Sequence, residues 1–300
     1  MKYVAGCGDA SCRLAAKSGD GGRWLPVRAH LLDTAGIMEC LVLLWLSSSA
    51  SRAVCADPAE ITRLCVFIAM THDIGKLTPL FQAKILSQMP ERRRDICAKI
   101  TEILEPGRFK DGRDSPHALA GEAILLHLGC PPGIAAVVGA HHGKPQKSAS
   151  ELKNQMRKRA ANYYGYLEGE EERAIWEDAW RRYFELALDA AGCGGAGDLP
   201  AIDVTSQVPL TGLLIMADWI ASNTFYFPLL GCDEGMDALS YPDRVERAWG
   251  ETQSARPLVS VLFWYGRRRI RRAVFFQPQR RAECRDGGGG RGRQPRHIYS

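Results

Sequence analysis

The chain has 300 residues, 46% hydrophobic and 24% charged, the balance of a soluble globular protein with one large domain or two small ones. Its net charge of +5 excludes less than it suggests: residues 267–300 hold eleven arginines against Glu283 and Asp286, a tail of +9 that leaves residues 1–266 at −4. The basic balance is therefore no argument that the folded part binds nucleic acid. Ten cysteines are scattered without a Cys-x-x-Cys, which argues against a zinc ribbon. Many lie in apolar runs, as reduced, buried thiols of a cytoplasmic protein would.

Residues 1–20 are polar and rich in Gly and Ala, with no apolar core of a signal peptide, and read as an N-terminal extension. Apolar spacing of three and four then predicts helices over 29–47, 58–72, 80–88, 92–104, 116–128, 132–141, 150–166, 171–190, 208–223 and 242–249. The fold class is all-α. Leu31–Leu46 is the most apolar stretch, but it carries Asp33 and Glu39 and is too short to span a bilayer, so it reads as a core helix. Asp57-Pro58 has the form of an N-cap followed by Pro in the first turn, and Ser115-Pro116 repeats it.

The histidines and buried acids follow the same order. His30 opens the first helix with Asp33 three residues on; alone, that is a helix-start histidine beside an acid. The second helix delivers His72-Asp73 at its C-terminal end, with Gly75 as the expected stop. An imidazole binds borderline divalent ions, and a carboxylate has two oxygens with which to bridge them. Lys76 is either a solvated loop lysine or a cation placed for a phosphate. Phe81 reads as core. His117 sits in the first turn of its helix, whereas His127 faces elsewhere and is structural. His141-His142-Gly143 ends an apolar helix, and two imidazoles there are costly to bury without partners. Asp218 is a lone acid in an apolar helix and needs a cation or strong donors, an arginine being the plain alternative. Ser222 lies one turn beyond it.

The ordered set resembles the HD superfamily of metal-dependent phosphohydrolases, and more closely the HD nuclease of type I CRISPR systems. The residues that carry the resemblance are Trp24-Leu25-Pro26, His30-x-x-Asp33-Thr34, His72-Asp73-Ile74-Gly75-Lys76, Phe81-Gln82, Pro116-His117-Ala118-x-x-Gly121, His142-Gly143 and Ala217 to Asn223. The resemblance implies an HD-domain helical bundle over residues 21–250 around a two-metal site. One ion would be held by His30, His72, Asp73 and Asp218, the other by Asp73, His117, His141 and His142. Asp73 would bridge and Lys76 would stand near the scissile phosphate, as the catalytic pair. Ser222 and Asn223 would line the substrate. Imidazole-rich ligation favours Mn, Co, Ni or Fe over Mg. The implied activity is hydrolysis of single-stranded DNA in CRISPR interference, alongside an RNA-guided surveillance complex and with no role for a membrane.

The larger members of that family continue into a helicase. This sequence contains no Gly-x-x-x-x-Gly-Lys-Ser/Thr, so no ATP hydrolysis is expected and a natural stand-alone nuclease would need a separate helicase. Residues 251–300 lose helical periodicity and become rich in Arg and Gly. They read as a disordered nucleic-acid-binding tail or as a GC-rich gene read out of frame, the second being preferred. Two other readings of the chain stay open: an HD phosphohydrolase acting on nucleotides, and a domain that only docks, with a structural metal.

Overall fold

The computed structural model of the chain describes residues 13–46, 57–89, 109, 112–143, 149–165, 170–235 and 240–254. Ten α-helices are present among them: α1 Val27–Cys40, α2 Pro58–Thr71, α3 Pro79–Leu86, α4 His117–His127, α5 Pro132–Gly139, α6 Ala149–Lys158, α7 Ala160–Tyr164, α8 Glu170–Ala190, α9 Val204–Ser222 and α10 Tyr241–Ser254. The helix expected over 92–104 and the tail from 255 lie outside the described residues. The all-α expectation holds, with one addition. Ala15–Ser18 (β1) and Trp24–Pro26 (β2) pair antiparallel into a small hairpin.

Among the described residues, that hairpin draws Leu14 to Ser18, expected in an N-terminal extension, into the folded unit. Leu14 and Ala15 are buried, and β1 is clamped by the buried Gln82 of α3. The Gln82 amide accepts from the Ala15 amide at 3.1 Å and donates to the Ala15 carbonyl at 3.0 Å and the Lys76 carbonyl at 2.8 Å. β2 pairs onward with Leu230 through two backbone hydrogen bonds.

α1 is the central element, buried along almost its whole length, and it packs against α2, α9 and α10. It runs on through a π turn, Leu41–Trp45. α2 is capped by Asp57, whose side chain accepts from the Ala59 amide, as the sequence suggested. Ser115 behaves differently. No side chain caps α4, and the Ser115 hydroxyl accepts instead from Gln155 and Asn162, joining the start of α4 to α6 and α7. The helix expected over 150–166 breaks in two at Arg159, which leaves helical geometry (φ −124°, ψ 36°).

α9 starts at Val204 rather than 208. Asp203 caps it by accepting from the Ser206 amide, and Pro209 sits near enough to the start to remove a single hydrogen bond. Among the described residues α9 is the one helix long and apolar enough to cross a bilayer. Here its Leu210, Leu213, Leu214 and Ala217 are buried in the bundle, and it packs on α1 and α5. Five described cysteines are free; Cys65 and Cys130 are buried, and Cys40, Cys193 and Cys232 are half-buried.

Two contacts fix the geometry around the polar residues of α1 and those at the end of α2. Asp33 is fully buried on α1 and takes a two-pronged bond from Arg244 of α10, Nε to Oδ1 at 3.1 Å and a terminal nitrogen to Oδ2 at 2.7 Å. The arginine partner that is the plain alternative for Asp218 belongs instead to Asp33. The second contact is at Gly75. It does not end a helix in the left-handed conformation; α2 stops at Thr71, and Gly75 lies in the short 3-10 turn Ile74–Lys76 against α4. A Cβ on Gly75 would overlap the His117 carbonyl and lie 2.6 Å from the Gly121 amide.

Both contacts make predictions. Arg244→Ala leaves a buried carboxylate unpaired and is expected to cost about 3–5 kcal/mol in denaturant unfolding, with Asp33→Asn in the same chain recovering part of the loss. Gly75→Ala must push two backbones apart. It is expected to cost about 3 kcal/mol and to lower metal retention, read by equilibrium dialysis, even in the fraction that stays folded.

Candidate metal centre

Four separate stretches deliver the polar cluster. His30 comes from the first turn of α1, His72 and Asp73 from the end of α2, His117 from the first residue of α4, and His141 and His142 from just past α5. Asp218 comes from the last turn of α9. Every one of the seven sequence-predicted ligands is therefore brought to the same place. His30, His72, Asp73 and His141 are essentially inaccessible to solvent.

The seven divide into two sets around one carboxylate. Ligand atoms of His30, His72 and Asp218 lie within 4.8 Å of one another, and so do those of His117, His141 and His142. Asp73 stands between them. Its Oδ2 is 3.1 Å from His30 Nε2 and 3.3 Å from His72 Nε2. Its Oδ1 is 3.5 Å from His117 Nε2 and 3.7 Å from His141 Nε2. Asp218 Oδ1 closes the first set at 3.1 Å from His30 Nε2 and 3.6 Å from His72 Nε2.

The imidazoles are held in a defined orientation. Nδ1 of His72 is 2.8 Å from the Ala69 carbonyl, and Nδ1 of His141 is 2.6 Å from the Val138 carbonyl. A carbonyl can only accept, so each Nδ1 carries the hydrogen and each Nε2 is turned inward. Helix geometry supplies both bonds, because each carbonyl is three residues back along the same turn. Such a partner on the outer nitrogen is the usual support of a metal-bound imidazole.

The donor set fits divalent ions. Nε2 of His141 and Oδ1 of Asp73 are buried without a hydrogen-bond partner. His117 Nε2 and His142 Nε2 approach to 2.6 Å, a separation at which two lone pairs repel unless a proton or an ion lies between them. Buried polar atoms left without partners are expensive, and convergent imidazole nitrogens with carboxylate oxygens are what a borderline divalent ion takes.

Electrostatics point the same way. Burial penalises the Asp73 carboxylate, yet the charges of Lys76 and His72 and the hydrogen bonds from His30 and His72 hold it well below the usual carboxylate range. Asp218 is likewise held down, against its burial, by hydrogen bonds from His30 and His72. Burial pushes His30 and His117 below the ordinary imidazole value and His141 down to about 4. His72 is the exception: burial pushes it down, but Asp73 and Asp218 more than offset this and raise it to about 9. The proton it holds is the one a divalent ion would replace.

Lys76 is buried with its ammonium 2.7 Å from Asp73 Oδ2 and 5.5 Å from the centre of the Phe81 ring. Phe81, expected in the core, is half-buried at the cluster and meets His117 edge to face at 5.6 Å. Ser222 donates to Asp218 Oδ1 at 2.9 Å. Asn223 ends α9, and its side chain accepts from the Phe225 amide at 3.0 Å. His127 is exposed and apart from the cluster, as expected.

One cluster residue escaped the sequence reading. Lys17, on β1, donates to the Ser222 hydroxyl at 2.8 Å and to the Ala221 carbonyl at 3.4 Å. The signal that could have found it is the pattern Leu14-Ala15-Ala16 and Trp24-Leu25-Pro26 on either side of Gly19-Asp20-Gly21-Gly22, which has the form of a hairpin.

Comparison with known proteins agrees with this geometry. The chain is 32% identical over 257 residues to the CRISPR-associated nuclease/helicase Cas3 of Streptococcus thermophilus, a match covering 78% of this chain and 27% of that protein. It is 28% identical over 232 residues to the CRISPR-associated endonuclease/helicase Cas3 of Thermus thermophilus, covering 73% of this chain and 23% of that one. The chain thus spans about a quarter of the length of the curated relatives it matches. Its fold is that of the Thermus thermophilus Cas3 HD domain solved in the presence of Ni2+, with a TM-score of 0.54, 20% identity, and coverage of 83% of this chain and 92% of that one. The sequence profile of the family described as "Cas3, HD domain" matches residues 15–227, more than two-thirds of the chain. The chain belongs to the Cas3 HD-domain family.

Proposed function

We propose that the chain is a metal-dependent nuclease that hydrolyses phosphodiester bonds of single-stranded DNA during CRISPR interference. The observation that carries this reading is Asp73, whose two oxygens each face a separate set of ligand atoms. In this reading His30, His72, Asp73 and Asp218 hold one divalent ion, and Asp73, His117, His141 and His142 hold a second. When bound, the ions supply the Lewis acidity that activates water at neutral pH and offsets charge on the phosphate.

The residues of the chain do the rest. The Ala69 and Val138 carbonyls fix two imidazoles so that no reorganisation is needed on ligand binding. Lys76, packed against Phe81, brings an ammonium to the edge of the cluster where a substrate phosphate would lie. Ser222 and Asn223 line the approach at the end of α9. Burial of His30, His72, Asp73 and His141 keeps bulk water from the inner part of the cluster and strengthens the interactions there.

The partners follow from the relatives, whose names join nuclease and helicase in one protein. We infer an RNA-guided surveillance complex and a helicase as partners, a cytoplasmic location, and a nuclease unit reaching back to β1 and ending near residue 250. The sequence from 255 to 300 is a basic tail or an out-of-frame segment, and residues 251–254, expected in it, belong to α10.

The test is cleavage of circular single-stranded DNA by metal-stripped protein reconstituted with Mn, Co, Ni or Mg separately. Activity is expected with the first three and little with Mg. Activity with Mg alone would contradict an imidazole-rich site, and hydrolysis of nucleotides with circular DNA left intact would contradict the substrate. Asp73→Asn keeps the size of the side chain and loses its charge. It is expected to abolish cleavage and to leave less than about one ion per chain by metal analysis, with an unchanged circular dichroism spectrum.

A further inference from the structure

Lys17 is a lysine without an ion pair. Among the described residues no carboxylate lies within ion-pairing distance of its ammonium, whereas Lys76 is bonded directly to Asp73. Its partners are neutral, the Ser222 hydroxyl and the Ala221 carbonyl. Burial, and then the nearby charge of Lys76, pull it down to about 8. A lysine held half-buried among neutral partners costs stability, so its position calls for an explanation.

The fold holds that lysine in place. β1 is pinned on one side by two hydrogen bonds between Ala15 and Gln82 and on the other by its pairing with β2. The pairing register shifts between Ala15 and Lys17, an irregularity of the kind that re-aims a side chain. The result is an ammonium on Ser222, which itself donates to Asp218. Lys17 therefore stands two hydrogen bonds from the carboxylate that closes the first ligand set.

The charge balance indicates what Lys17 awaits. Asp73 and Asp218 cannot neutralise two divalent ions together with Lys76 and Lys17. A site so charged is completed by an anion carrying several negative charges, as successive phosphates of a nucleic-acid strand do. We propose that Lys17 is a substrate-binding residue that contacts a backbone phosphate of the single strand, with Ser222 as the group that presents its ammonium. Lys76 and Lys17 then meet the strand from two different elements, the turn after α2 and the hairpin. This inference rests on the nuclease reading above.

The alternative is that Lys17 only steadies Asp218 through Ser222. The two roles separate in a comparison of full-length wild type, Lys17→Met and Lys17→Arg, each loaded with Mn and checked for metal content and melting temperature. Binding of a fluorescent oligothymidine is measured as a function of salt, and cleavage as KM and kcat separately. Lys158→Met, on the exposed end of α6, controls for general loss of charge. The arginine-rich tail contributes equally to all four proteins.

For Lys17→Met we expect KM to rise about tenfold with kcat changed less than about threefold. The slope of log affinity against log salt is expected to fall by about 0.7, the value for one lost contact to a single strand. Lys17→Arg keeps the slope, and Lys158→Met changes neither. Wild-type KM and slope in a folded, metal-loaded Lys17→Met protein would overturn the inference, as would a loss of metal or melting temperature with the slope unchanged. Wild type that neither binds nor cleaves single-stranded DNA with any of the metals would overturn the nuclease reading and this inference with it.

Discussion

The Asp73 carboxylate is buried among five charged or chargeable side chains, and its two oxygens face in two directions. Oδ2 meets His30, His72 and Lys76; Oδ1 meets His117 and His141. A buried carboxylate in an apolar bundle is tolerable only with such company. The whole arrangement depends on it. Remove its charge and the two sets of imidazoles have nothing between them, while the α2 terminus loses its link to α1, α4 and the segment after α5.

Much of the surrounding architecture serves to hold those termini at fixed distances. Gly75 lets the turn after Asp73 lie directly on the backbone of α4, which sets His117 against Oδ1. Trp180 of α8 donates to the Leu77 carbonyl at 2.6 Å and braces the same loop from behind. Arg244 ties α10 to Asp33, one turn along α1 from His30. These are polar or steric devices. The apolar core brings the helices together, and these contacts decide their registration to within an ångström or so, the tolerance that shared ligation of an ion demands.

The polar cluster was more legible in the sequence than the scaffold that holds it. Histidines and acids at the ends of apolar helices announce themselves, because burial without a partner is costly, and all seven meet in the structure. Helices α2, α4 and α5 were legible from their prolines and apolar runs, and α2 also from its cap, to within a residue or two. The misses share a cause. β1 is four residues long, with a short apolar face, and part of its hydrogen bonding comes from Gln82, 67 residues away. Lys17 reaches Ser222 across 205 residues of sequence, and Arg244 reaches Asp33 across 211. No local pattern encodes such pairs. Gly75 serves close approach to α4 rather than the helix stop expected of it, since glycines needed for either purpose look the same in one sequence.

The account stands on Asp73 joining two ions, and anomalous diffraction from a crystal of the protein soaked in Mn tests that directly. It predicts two peaks about 4 Å apart flanking the Asp73 carboxylate, one among His30, His72 and Asp218 and the other among His117, His141 and His142. A single peak, or two peaks of which one makes no contact with Asp73, would contradict it.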